Sequence, residues 1–312
     1  MSAGYEHGPL RRPLYDYLDS AAAAVRVPTN ADGDSDMASR KEIDQYRDQG
    51  YFVADDAVDQ DLLAELVAAA SRVVAKVRSG EVVDDEGGVR TGGEGQEPQF
   101  VSGLIAPEFG EPAFAEYLGS EALARHLRPF LGEELRLGWV HLCAIAGDYQ
   151  CGWHRDIGGH DRDGSYEVEM EILAHHRKNL VKWHMALVDD PCLWIVPGSH
   201  RRYRTERERE CLRKDTQGEI PGAEQIVLKS GQTVFWNGNG IHRGLKPEGA
   251  GERSTLMGGL IDHRTEYDEG EKGDQQWLMA ENIGEHLPQS TRCYYDNWRS
   301  LAESRMAAQQ SG

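Results

Sequence analysis

Two stretches of this 312-residue chain decide its reading: Trp153-His154-Arg155-Asp156, and KSGQTVFWNGNGIHRG at residues 229–244. On an extended segment side chains alternate, so His154 and Asp156 point to one face. An imidazole nitrogen and a carboxylate oxygen on one face can bind a single metal ion. A third ligand from a distant strand would complete a facial triad. Two histidines and one carboxylate with open positions are the signature of non-haem Fe(II) oxygenases. Taken alone, His-x-Asp is also what a surface histidine beside an aspartate looks like. The third ligand therefore has to be found. His160, His175, His176, His184, His200 and His242 all lie downstream. His242 stands out by context, because it follows a strand-like run (Lys229–Trp236) and a Gly-rich turn, with Arg253 a little further on.

Working outward, residues 1–40 are polar and irregular, with a turn-like NADGDSD at Asn30–Asp36. A short helical pattern near Arg40–Gln49 is closed by Gly50, and Tyr51–Val53 reads as a strand. Asp59 is placed to cap the next helix, in which Leu62, Leu63, Leu66, Val67, Ala70, Val73, Val74 and Val77 recur at helical spacing until Gly80. The acidic, Gly-rich residues 81–98 read as a loop, either a lid over a site or simply solvated. One further helix is expected over Pro112–Phe130. Beyond Leu131 the pattern changes to short runs rich in β-branched and aromatic residues: Leu135–Trp139, Val181–Val188, Leu193–Val196, Gln225–Leu228, Thr233–Trp236 and Ser254–Ile261. Helices followed by many short strands predict a mainly β fold, a sandwich or barrel with helices outside. The mixed-charge run Arg201–Lys214 reads as a solvated helix or, failing that, a binding patch.

Composition bounds the partners. There are 53 Asp+Glu against 34 Lys+Arg, a net charge of −19, which argues against nucleic acid and anionic membrane surfaces. The surplus is uneven: residues 121–253, which hold every candidate site residue but Thr255, carry 20 acidic and 19 basic side chains. That segment can accommodate an anionic ligand. The 5 cysteines include no C-x-x-C pair, so neither a disulfide scaffold nor a cysteine zinc site is expected. The N-terminus lacks the apolar core of a signal peptide, and no apolar run is long enough to span a bilayer. The expectation is a cytoplasmic protein that acts on a small molecule. Oligomeric state is not legible.

The set WHRD, WIVPGSH, SGQTVFWNGNGIHRG and Arg253 resembles the phytanoyl-CoA dioxygenase (PhyH-like) family of Fe(II)/2-oxoglutarate-dependent oxygenases. The stretch IDQYRDQGY at Ile43–Tyr51 resembles the family's opening. The resemblance covers roughly residues 41–263. It implies a double-stranded β-helix core (jelly-roll, cupin-like) at 41–263, an N-terminal extension at 1–40, and a C-terminal extension at 264–312 packing on the same domain. It further implies Fe(II), 2-oxoglutarate and O2 as cofactor and co-substrates. The iron ligands would be His154, Asp156 and His242. Arg253 would pair with the distal carboxylate of 2-oxoglutarate, a task for which its fork is suited. Thr255, on the same strand face, would add a hydroxyl. Trp183 falls where the family places a tryptophan near the co-substrate. His184 and Arg155 are candidate substrate contacts.

The implied reaction is hydroxylation of an unactivated C–H bond, with conversion of 2-oxoglutarate and O2 to succinate and CO2. Desaturation, ring formation or epimerisation would use the same ligands. Two other readings stand beside it: a cupin-like metalloenzyme without 2-oxoglutarate, and a jelly-roll protein that only binds a ligand. The chain departs from the family pattern in two places. Asp189-Asp190-Pro191-Cys192 stands where Asn-Gly usually precedes the Pro-Gly-[ST]-His strand, and Gly244 occupies the position where a serine often supports the co-substrate carboxylate. Pro197-Gly198-Ser199-His200 reads as a structural turn.

Overall fold

Ser39 and Gly50 bracket the first helix, Arg40–Gln49. The Ser39 hydroxyl accepts from the Glu42 N–H while the Glu42 carboxylate takes the Ser39 N–H, and Gly50 closes the helix in the left-handed region at φ 85°. The computed structural model describes residues 38–82, 97–156, 165–175, 180–265, 276–279 and 283–311. The lid reading of the Gly-rich loop falls on residues 83–96, outside the described residues, as do His160, His176 and residues 1–37.

The helix Gln60–Ser79 begins after Asp59 and ends at Gly80, although the Asp59 side chain makes no cap bond. It buries Leu63, Leu66, Ala69, Ala70, Val73 and Val77. The helix expected over 112–130 is two helices, Pro112–Leu118 and Glu121–Leu131, with Ser120 capping the second. The break has a packing cause. A Cβ on Gly119 would lie 2.4 Å from Thr291 Oγ1, so helix Gln289–Ser311 docks against a backbone without a side chain.

Among the described residues ten strands follow one another: β1 Tyr51–Ala54, β2 Phe100–Ser102, β3 Leu135–Ile145, β4 Gln150–His154, β5 Lys182–Ala186, β6 Asp190–Ile195, β7 Glu224–Leu228, β8 Thr233–Trp236, β9 His242–Leu245 and β10 Arg253–Asp262. All pair antiparallel. They form a six-stranded sheet, β1-β8-β5-β10-β3-β2, and a four-stranded sheet, β4-β9-β6-β7. The jelly-roll core expected from the sequence is present. One face of the large sheet carries Trp183, Met185, Phe235, Leu256 and Leu260 into a core with Leu66, Val73, Phe114, Tyr117 and Trp298 from the helices. The other face turns Tyr51, Ala186, Val234 and Trp236 toward Leu193, Ile195, Ile226 and Leu228 of the small sheet. The space between the sheets is therefore apolar at one end, and the polar residues described below occupy the other.

The run 201–214 is not merely solvated. Its helix, Glu206–Arg213, buries Glu208, Cys211 and Leu212, and Arg204 is buried in an ion pair with Glu169. Helix Gln289–Ser311 reaches the large sheet, where Asn297 Nδ2 donates to Leu135 O at 2.8 Å. Among the described residues no helix is long and apolar enough to cross a membrane.

Candidate metal centre

β4 and β9 are neighbours in the small sheet, and their register sets His154 directly opposite His242. A register shift between Cys151 and His154 turns the end of β4, so that Trp153 is buried on the outer side while His154 faces inward. Asp156 follows the strand and is held there by its own N–H, which donates to Gly238 O at 2.8 Å. The result is a compact set. His154 Nε2 lies 3.6 Å from Asp156 Oδ1, and His242 Nε2 lies 3.5 Å from Asp156 Oδ2. All three ligand atoms fall within 4.8 Å of one another.

The other ring nitrogens complete the orientation. His154 Nδ1 is 2.7 Å from Gly152 O and His242 Nδ1 is 3.0 Å from Gly240 O, each two residues back along the chain. With Nδ1–H donating to a carbonyl, Nε2 presents its lone pair to the common point. This is how metal-binding histidines are usually fixed. Burial alone would raise the Asp156 pKa, but His242, Lys182 and His154 outweigh it and hold the carboxyl down at about 2. Asp156 is thus an anion at any working pH. Burial, with His154 beside it, pushes the His242 imidazole down to about 3, so it is neutral and free to ligate. Two imidazoles and one carboxylate converging on one point fit a divalent iron that keeps positions open.

Arg253 begins β10 and is wholly buried. Asp190 accepts from its Nε at 3.1 Å, and the Tyr149 ring lies 5.1 Å from its guanidinium carbon. Thr255, on the same face of β10, has its hydroxyl buried without a hydrogen-bond partner. His184 also faces inward. Its ring sits edge-on to Trp236 at 4.8 Å, and both nitrogens are buried without a partner. Burial, together with the nearby charges of Arg253, Lys182 and His242, drives its pKa well below the ordinary histidine value. It is a neutral donor and acceptor waiting for a polar group.

Two candidate residues are not brought to this set. Trp183 neighbours His184, so period-two alternation sends it to the opposite face. There it packs edge-on against Tyr117 at 5.3 Å in the core beneath the helices. Arg155 lies between two ligands in sequence but points away from them. Its guanidinium pairs with Glu169 at 2.5 Å and donates to Ser199 O at 2.9 Å, with its side chain fully buried. It ties helix Tyr166–His175 to the metal motif, and although its Nε has no partner, the fully buried side chain offers a substrate no accessible donor. His175 ends that helix and is exposed. His200 sits on the turn after Gly198, at φ 73°.

Sequence reasoning missed Lys182. Its ammonium donates to Asp156 Oδ2 at 2.8 Å and lies 5.0 Å from the Trp139 ring and 5.5 Å from the Trp236 ring. Alternation from His184 would have flagged it, since the two share a strand face. Tyr149, in the loop before β4, and Asp190, at the start of β6, were also missed, and only their tertiary contacts with Arg253 reveal them.

A family model for phytanoyl-CoA dioxygenase (PhyH) matches residues 46–255. EctD from S. alaskensis, solved with 2-oxoglutarate and 5-hydroxyectoine, has a similar structure, with TM-score 0.56 and 18% identity over 77% of this chain and 82% of that one. AviO1 from Streptomyces viridochromogenes Tue57 gives 0.51 at 20% identity, over 73% and 97%. The epimerase SnoN, in complex with Fe3+, alpha ketoglutarate and nogalamycin RO, gives 0.50 at 18%, over 72% and 83%. These structural likenesses establish a shared fold. No curated protein matches the chain.

Proposed function

The chain belongs to the phytanoyl-CoA dioxygenase family, and from that premise we propose that it is an Fe(II)/2-oxoglutarate-dependent oxygenase that hydroxylates an unactivated C–H bond of a small molecule. The observation that carries the reading is the His154–Asp156–His242 set, with a buried guanidinium, Arg253, on the wall of the same chamber. His154 Nε2, Asp156 and His242 Nε2 would hold the iron. Bound iron, 2-oxoglutarate and dioxygen supply the oxidising chemistry, with succinate and carbon dioxide as by-products. The chain supplies everything else. Arg253, kept in place by Asp190, offers its guanidinium to the distal carboxylate. Thr255 adds a hydroxyl beside it. Neutral His184 hydrogen-bonds to whatever polar group enters between Arg253 and the triad. Trp139 and Trp236 wall the chamber and limit water. Asp156 fills the third protein-ligand position, the place a halide would need in a halogenating site, which favours hydroxylation over halogenation. The compartment is the cytoplasm, in keeping with five free cysteines.

The test is turnover. With Fe(II), 2-oxoglutarate and O2, the protein should form succinate slowly without substrate and faster with the right small molecule. Asp156→Ala should abolish both rates. Succinate formation that ignores Fe(II) or survives in Asp156→Ala would refute the proposal. Oxygen consumption that needs Fe(II) but not 2-oxoglutarate would favour a cupin-like metalloenzyme instead.

A further inference from the structure

Gly244 and Tyr149 are explained by each other. Gly244 lies on β9, two residues past the metal-set His242, and its β4 register partner is Cys151. A Cβ built on Gly244 would lie 2.6 Å from Tyr149 Cε1 and 2.8 Å from its hydroxyl oxygen. The volume that any side chain at 244 would fill is therefore taken by the phenol. Tyr149 is held there from two sides. Its carbonyl accepts from the Lys246 N–H at 2.9 Å, and its ring meets Phe100 edge-on at 5.9 Å. The same ring lies over Arg253 at 5.1 Å. Asp190 accepts from the Nε of that guanidinium at 3.1 Å. Burial raises the phenol pKa, which keeps the hydroxyl protonated and able to donate.

A guanidinium and a neutral O–H donor side by side form a carboxylate cradle. The cation sets the charge, and the hydroxyl fixes one oxygen. We propose that Tyr149 is the second anchor of the co-substrate's distal carboxylate, and that Gly244 is small so that this phenol can reach it. The assignment rests on the oxygenase reading above. It moves the hydroxyl donor from the strand after the metal-set histidine to the loop before β4.

The experiment is anaerobic titration of the Fe(II)-loaded protein, read by the charge-transfer band of the keto-acid chelate. Two ligands are used: 2-oxoglutarate, and 2-oxopentanoate, which has the same keto-acid end and no distal carboxylate. Tyr149→Phe removes only the hydroxyl. A hydrogen bond to a charged group accounts for roughly 10-fold or more in affinity. The 2-oxoglutarate dissociation constant should therefore rise about 10-fold in Tyr149→Phe, while that of 2-oxopentanoate and the thermal midpoint stay as in the wild type. An unchanged 2-oxoglutarate affinity, or equal losses for both keto acids, overturns the assignment. A wild-type protein that chelates neither ligand overturns the oxygenase reading instead, so the two failures are distinguishable.

Discussion

Arg253 and Asp190 form a salt bridge with side chains 2% and 1% exposed, so each charge depends on the other. Removing one partner of such a pair leaves an uncompensated buried ion and costs about 3–5 kcal/mol, whereas replacing both is often close to neutral. Arg253→Met should therefore lower the free energy of unfolding by roughly that amount, measured by urea denaturation. Adding Asp190→Asn should restore most of the stability. It should not restore 2-oxoglutarate binding, because the guanidinium is gone in both variants. Recovery of binding in the double variant would show that Arg253 is a structural residue and not an anchor. His184 illustrates the same dependence without a charge. Both of its nitrogens are buried and unpaired, a cost the fold accepts where a ligand is to supply the partner.

The elements that the sequence revealed are those with strong apolar periodicity. Helices Arg40–Gln49 and Gln60–Ser79 end where Gly50 and Gly80 stop them, and β8 and β10 alternate between the helical core and the inner face. β4 and β9 carry no strand signal of their own, because Gln150-Cys151-Gly152-Trp153-His154 and His242-Arg243-Gly244-Leu245 are short, Gly-containing and polar. They carry chemistry where other strands carry apolar side chains. That explains why the ligands were legible as a pattern of residues and the strands that present them were not. Alternation also served better than resemblance at one position: it sends His184 inward and Trp183 outward, and this is what the fold does. Lys182 and Arg155 show the opposite limit. Alternation gives Lys182 its face but not its partner, and an arginine in a charged motif looks solvent-facing in a sequence; only tertiary structure shows Asp156 and Glu169 waiting for them.

Across the whole molecule, burial holds His126, His184, His200 and His242 below the ordinary histidine pKa, to about 4 for His200 and about 3 for His242. Unfolding returns each to about 6.5. The unfolded chain therefore takes up protons first, so the stability is fully present above pH 6.5 and is lost as pH falls toward the folded values. His154, whose pKa is raised despite its burial by the Cys151 thiol and the Asp156 carboxylate, offsets part of this. The metal-free protein should lose on the order of 2 kcal/mol or more between pH 7.5 and pH 5, read as a lower urea midpoint. An unchanged midpoint would mean that these rings are not neutral in the fold. The net charge of −19 sits mainly outside the segment that builds the site, so an acidic protein can still present Arg253 to a dianion. The central claim is that His154, Asp156, His242 and Arg253 together hold iron and 2-oxoglutarate. It is tested most directly by adding 2-oxoglutarate to the Fe(II)-loaded protein without oxygen. A visible charge-transfer band that saturates at one equivalent per chain, and is lost in His242→Ala, is the predicted result. No band in the wild-type protein would contradict it.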